Sequence, residues 1–225
     1  MSASATAPSL LPDTIPLFPL SGVVLLPHAR LPLNIFEPRY LSMIDDVLGQ
    51  GRIIGMIQPS TPGLVTDGQE SSAPSLYSIG CAGRITSFNE TEDGRFLLGL
   101  TGLCRFTVKD ELPMGDKPYR RASVDWQKFL ADMHEADDHE IDRKRLSAVL
   151  QHYFKLQGIA ADWNAVQNTP NDLLISSLVM ICPLAPNEKQ ALLEAPNLHA
   201  RADMLMALLE MASMPQAETE TGSKH

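Results

Sequence analysis

Apolar residues gather in short runs between prolines early in the chain and in helix-spaced stripes late in it. Three early runs, Ile15–Phe18, Val23–Leu26 and Leu31–Ile35, are punctuated by Pro16, Pro19, Pro27 and Pro32. Proline has no amide hydrogen to give a ladder, so these runs predict strand fragments that bend at their ends, as in a small curled barrel. Phe36-Glu37-Pro38-Arg39-Tyr40 opens a helix with Pro38 in its first turn. Leu41, Ile44, Val47 and Leu48 give that helix its apolar face, and Gly49 and Gly51 end it. Arg52–Ile57 reads as a strand, and residues 58–76 as a polar loop rich in proline, glycine and serine. Loops of that length are often mobile or functional, although a variable surface excursion is the simpler reading. From Tyr77 the pattern predicts a hairpin around a turn at Asn89–Gly94, then a further strand over Gly102–Val108. There Leu103, Arg105 and Thr107 alternate with Cys104, Phe106 and Val108, which predicts one solvated face.

An acidic stretch at 129–142 precedes a change to helical spacing. Leu146, Val149, Tyr153 and Leu156 share one face of a helix that Gly158 ends. Thr169 is expected to cap the next helix, with Pro170 at its first position and Leu173, Leu174, Leu178 and Ile181 buried. Pro186-Asn187-Glu188 starts a short helix, and Asn197 caps a last one running to about Met211. The expected fold is α+β: a β-rich pseudobarrel lobe over 13–128, an α-helical bundle lobe over 129–214, and flexible termini at 1–12 and 215–225.

Composition narrows the function classes. A chain of 225 residues carrying a net charge of -9 is a poor ligand for nucleic acid or an anionic membrane surface. Arg143-Lys144-Arg145 is the longest basic run, and Glu140 and Asp142 compensate it. Cys81, Cys104 and Cys182 are widely spaced and odd in number, without a CxxC, which suits neither a disulfide framework nor a zinc knuckle. The first fourteen residues lack the basic and apolar regions of a secretory signal, and no stretch approaches a membrane span. A cytoplasmic location is the expectation. His134, Glu135, Asp138, His139 and Asp142 form the one cluster with helical metal spacing. It has no HExxH and no third ligand fixed by motif, so a charged linker is the better reading and no metal is expected. No GxSxG surrounds any serine and no GxxxxGK[ST] is present, so neither a nucleophile elbow nor a phosphate loop is expected.

LPLNIFEPRY, preceded by IPLFPLSGVVLLP, resembles the start of the Lon substrate-binding domain in the form found in bacterial stand-alone proteins. The domain is similar to the amino-terminal part of Lon proteases and to a module in cereblon. The resemblance continues through GCAGRI, DGRFLLGLTGLCRF, PYRRASVDW and LAPNEKQALLEAPNLHARADMLMALLE, covering roughly 13–212. It implies a PUA-like β-lobe, a helical lobe, and recognition of polypeptide substrates without peptidase chemistry. The Walker A loop and glycine-flanked serine of full-length Lon have no counterpart here. The resemblance therefore implies a non-catalytic adaptor, regulator or weak holdase that needs no cofactor and binds polypeptide segments or a protein partner. Monomer and weak dimer both stay open. The rival is a hydrolase with the 58–76 loop as lid and a scattered serine or histidine as catalyst.

Five residues are candidate contacts for such a client. Arg39 and Tyr40 either join strand edge to helix or form the rim of a peptide groove. Met204, Leu208 and Met211 form an apolar face of the last helix, offset from its obvious core face of Leu198, Ala202, Leu205, Leu209 and Ala212. Thioethers suit varied apolar clients, while a wide core contact explains the same stripe without any partner.

Overall fold

The computed structural model describes residues 11–60, 74–134 and 141–214. Most of both expected flexible termini, residues 61–73 of the polar loop, and Glu135, Asp138 and His139 of the acidic cluster lie outside the described residues. Six strands, β1 (Thr14–Pro19), β2 (Arg30–Ile35), β3 (Ile53–Ile57), β4 (Ile79–Glu90), β5 (Phe96–Leu112) and β6 (Arg121–Asp125), form one sheet. Its order is β2-β5-β4-β3-β1-β6, and β6 pairs back onto β5. Strands β5, β4, β3, β1 and β6 thus close a ring, with β2 attached outside it. The length of β5 makes closure possible: residues 96–101 pair with β2 and residues 107–112 with β6. The second arm of the hairpin and the strand expected after it are one continuous 17-residue strand.

Close approach at Gly102 explains that continuity. A β-carbon there would collide with the Leu26 carbonyl. Without one, the Gly102 amide donates to Ala29 O at 2.9 Å and its carbonyl accepts from His28 N at 3.0 Å. Val23–Leu26 is not a strand, contrary to expectation. Val24, Leu25 and Leu26 are buried in an irregular segment beside β5. β1 accommodates its prolines by changing partners: residues 14–16 pair with β6 and residues 17–19 with β3. Pro16 therefore lies where the strand is laddered on one side. β1 and β3 run parallel. A parallel pair needs a crossover connection, here supplied by β2 and α1 (Pro38–Leu48).

After β6 come a 3-10 turn (Gln127–Met133) and helices α2 (Arg143–Gln157), α3 (Trp163–Asn168), α4 (Asn171–Ile181), α5 (Pro186–Glu194) and α6 (Leu198–Ala212). Gly158 ends α2 with φ 65°, and the Asn197 side chain caps α6 by accepting from Ala200 N at 2.9 Å. Helix α3 was not expected, and it changes the role of Thr169. The Thr169 hydroxyl donates back to the Ala165 carbonyl at 2.7 Å, closing α3 instead of capping α4. The buried stripe of α4 is Leu174, Ile175, Leu178 and Val179, while Leu173 and Ile181 are exposed. In α2, Leu150 and Phe154 are buried and Leu156 is exposed. Leu156 lies off the single apolar stripe of α2, whereas α4 is apolar on more than one side. A one-residue shift of the stripe is a turn of about 100° that spacing alone cannot resolve. Buried side chains of the barrel and the helices form one connected core.

Candidate functional site

Two surfaces have shape and chemistry beyond ordinary packing. The first is an apolar groove of about 310 Å³ along β2, lined by Phe18, Val23, Leu31, Leu33 and Tyr40, with Phe36 at its margin. β2 pairs with β5 alone, so its other backbone edge is open among the described residues. Alternation along β2 leaves Leu31 and Leu33 half-buried and Arg30, Pro32 and Asn34 exposed, and residues 31–35 all contribute to the groove lining. Tyr40 forms part of the groove wall because Glu37 and Pro38 start α1 directly after the strand. Its ring meets Phe18 edge-on, centroids 4.3 Å apart. The Arg39 guanidinium lies 4.5 Å from the Tyr40 centroid and pairs with Glu37 at 2.7 Å. Burial is the main cause that raises the Tyr40 hydroxyl pKa, outweighing the nearby Arg39 cation. Phe36 is 63% exposed. Covering the exposed part of this side chain contributes roughly 1–2 kcal/mol, so the margin rewards an apolar occupant.

The second surface is a cleft of about 350 Å³ where the 3-10 turn, α4 and the start of α6 meet β5. Arg105 of β5 is only 4% exposed. Its Nε and Nη2 each donate to the Asp132 carboxylate at 2.8 Å, and Nη1 donates to the carbonyls of Leu193 and Ala195 at 3.0 and 2.6 Å. Arg201, 5% exposed, donates from Nε to Leu192 O at 2.9 Å. Both guanidiniums thus serve the carboxyl end of α5, where carbonyls lack helical partners and the helix dipole is negative. The two are not equally satisfied. Asp132 pairs with Arg105, whereas Nη2 of Arg201 is buried with no hydrogen-bond partner. An unpaired buried donor costs about 1–3 kcal/mol. Burial first and the Arg105 charge second push the Arg201 pKa down to about 10.

At the amino end of α5, Gln58 joins barrel to helices. It accepts from Gly22 N at 2.9 Å and donates to Pro186 O at 2.9 Å and to Gln190 at 3.2 Å. Gln190 in turn donates to Ile79 O at 3.0 Å.

The structure separates the sequence candidates. Tyr40 lines the groove, whereas Arg39 does not; the two meet instead in a neighbouring hollow with Met114, Tyr119 and Arg120. Met204 and Leu208 are half-buried against the core, while Met211 is 65% exposed. Arg105 and Arg201 were missed. Arg105 falls on the expected solvated face of β5, but the 3-10 turn covers that position. A charge within GLCRF was the one available signal. His134 borders the cleft, and no group of three His, Cys, Asp or Glu side chains among the described residues could hold a metal.

The family model for the ATP-dependent protease La (LON) substrate-binding domain matches residues 14–211. Lon protease 2 of Sorangium cellulosum is 26% identical over 238 residues, covering 96% of this chain and 28% of that protein. The peroxisomal Lon protease homolog 2 of Mus musculus is 27% identical over 223 residues, covering 92% of this chain and 26% of that protein. The chain therefore spans about a quarter of the length of these relatives. The crystal structure of a Lon N-terminal domain protein from Xanthomonas campestris superposes with a TM-score of 0.57 at 27% identity, covering 86% of this chain and 97% of that one. The N-terminal domain of Mycobacterium avium complex Lon protease gives 0.56 at 16% identity, covering 88% and 98%, a likeness of fold alone.

Proposed function

We propose that this chain, which belongs to the LON substrate-binding domain family, is a polypeptide-recognition module that binds extended apolar segments in the groove along β2. The observation carrying this reading is an apolar groove beside an open strand edge, with Phe36 exposed at its margin. An extended segment offers backbone groups to such an edge and alternate side chains to the groove, the mode of strand addition. Pro32 removes one donor from β2, so the ladder is interrupted and side-chain burial carries much of the affinity. Glu37 lines the groove with its charge paired to Arg39. The module performs no covalent step on its client and serves as adaptor, regulator or weak holdase.

Anisotropy of a labelled, permanently unfolded polypeptide tests the reading. Wild-type protein binds it, and Leu33→Asp lowers affinity at least about tenfold, because a charge in the groove is desolvated by the client. Met211→Asp is the control that separates the groove from the offset stripe of α6. Unchanged binding by Leu33→Asp, with loss in Met211→Asp, transfers the site to Met204, Leu208 and Met211. Turnover of the polypeptide by purified protein would replace this reading with the hydrolase.

A further inference from the structure

We propose that the cleft between β5 and α6 is a carboxylate-binding site whose central ligand is Arg201. This goes beyond the groove reading, and each can fail without the other. Arg201 lines the cleft, is buried, and has an Nη2 donor with no partner. Its neighbour Arg105 already neutralises Asp132 through a two-pronged pair. Of the other charged groups lining the cleft, Lys128 is positive and Asp172 negative. Counting Arg105, Arg201 and Lys128 against Asp132 and Asp172 leaves one positive charge, in a chain whose net charge is -9.

Arg201 also sits in the first turn of α6, where the helix dipole disfavours a cation and favours an anion. Asn197 at the amino end of α6 lines the same cleft. A planar carboxylate matches a guanidinium fork in shape and would occupy the unfilled donor. The two aspartates set the charge class: they tolerate a monoanion and oppose a phosphate dianion. A peptide carboxyl terminus and an acidic side chain share this chemistry.

Three tripeptides distinguish the sources: N-acetyl-Ala-Ala-Ala with a free carboxyl terminus, the same peptide amidated, and amidated N-acetyl-Ala-Ala-Glu. Each is titrated into the full chain and followed by NMR at the Arg201 Nε–Hε resonance. Inorganic phosphate is a fourth probe. Saturable movement of that resonance by the free-carboxylate tripeptide, the glutamate peptide or both supports the site, and which of them acts identifies the source. Arg201→Met weakens this binding about tenfold or more, while the wild-type resonance keeps the test valid if that variant fails to fold. Equal response to the amidated trialanine, tighter binding of phosphate, or no saturable movement overturns the proposal. Leu33→Asp leaves the tripeptide response unchanged.

Discussion

Replacing Arg105 with methionine tests how barrel and helices are held together. The substitution keeps most of the apolar stem but removes two charge-assisted bonds to Asp132 and two bonds to the carbonyls of Leu193 and Ala195. Arg105 and Asp132 side chains are 5% and 10% exposed, so water cannot take over these roles without rearrangement. Leaving one member of a buried pair uncompensated costs about 3–5 kcal/mol. In a domain of this size each kcal/mol lowers the melting temperature by about 2–4 °C, so Arg105→Met should melt roughly 6–20 °C below wild type. Urea unfolding followed by circular dichroism measures the free energy. Hydrogen exchange adds a local readout, with protection at the carboxyl end of α5 falling first. Arg105→Met with Asp132→Asn should recover part of the loss, because the orphaned charge is then gone. A cost below about 1 kcal/mol, the value of an exposed ion pair, would refute the reasoning.

Three further outcomes follow from other parts of the molecule. The Asp46 carboxyl is held below its ordinary value of 3.8 first by the Tyr119 hydroxyl and then by Lys117, at 2.6 and 3.0 Å. Its contribution is therefore complete above the unfolded value and lost as pH falls through the lower folded one, so Asp46→Asn should show a shallower loss of stability below about pH 4. Burial, followed by the Asp132 charge, pushes the Cys104 thiol up to about 12, and burial pushes Cys182 up to about 11. With Cys81 also buried, none of the three should react with a thiol reagent at neutral pH until the protein unfolds. Met211→Asp should change stability by less than about 0.5 kcal/mol, whereas Met204→Asp, half-buried against the core, should cost at least about 1 kcal/mol in the same urea assay.

The elements that local chemistry specifies were legible in the sequence. Pro38 starts α1, Gly158 ends α2 in a left-handed turn, and Asn197 caps α6, because each acts within a few residues of its own position. The hairpin pattern located β4, the prolines pointed to a curled sheet, and the quoted motifs carried the family. Features set by distant chain were less accessible. The burial of Arg105 depends on a turn 27 residues later, which period-two alternation cannot report. Val23–Leu26 has a strand's composition, but it is His28 and Ala29, just after the run, that bond to β5 at Gly102. The apolar groove was half legible: Tyr40 was singled out as a rim residue, whereas Phe18, Leu31 and Leu33 read only as parts of proline-bounded strand fragments.

Placing a photo-crosslinking amino acid at position 36 tests polypeptide capture in the β2 groove most directly. Phe36 is exposed at the groove margin, and Leu156, exposed on α2, provides an apolar control position of similar accessibility. Both variants are irradiated with casein as an unfolded client and the adducts quantified by mass spectrometry. The account predicts strong crosslinking from position 36, little from position 156, and loss of the position-36 adduct when Leu33→Asp is added. Equal yields from the two positions, or a position-36 adduct indifferent to Leu33→Asp, would contradict it.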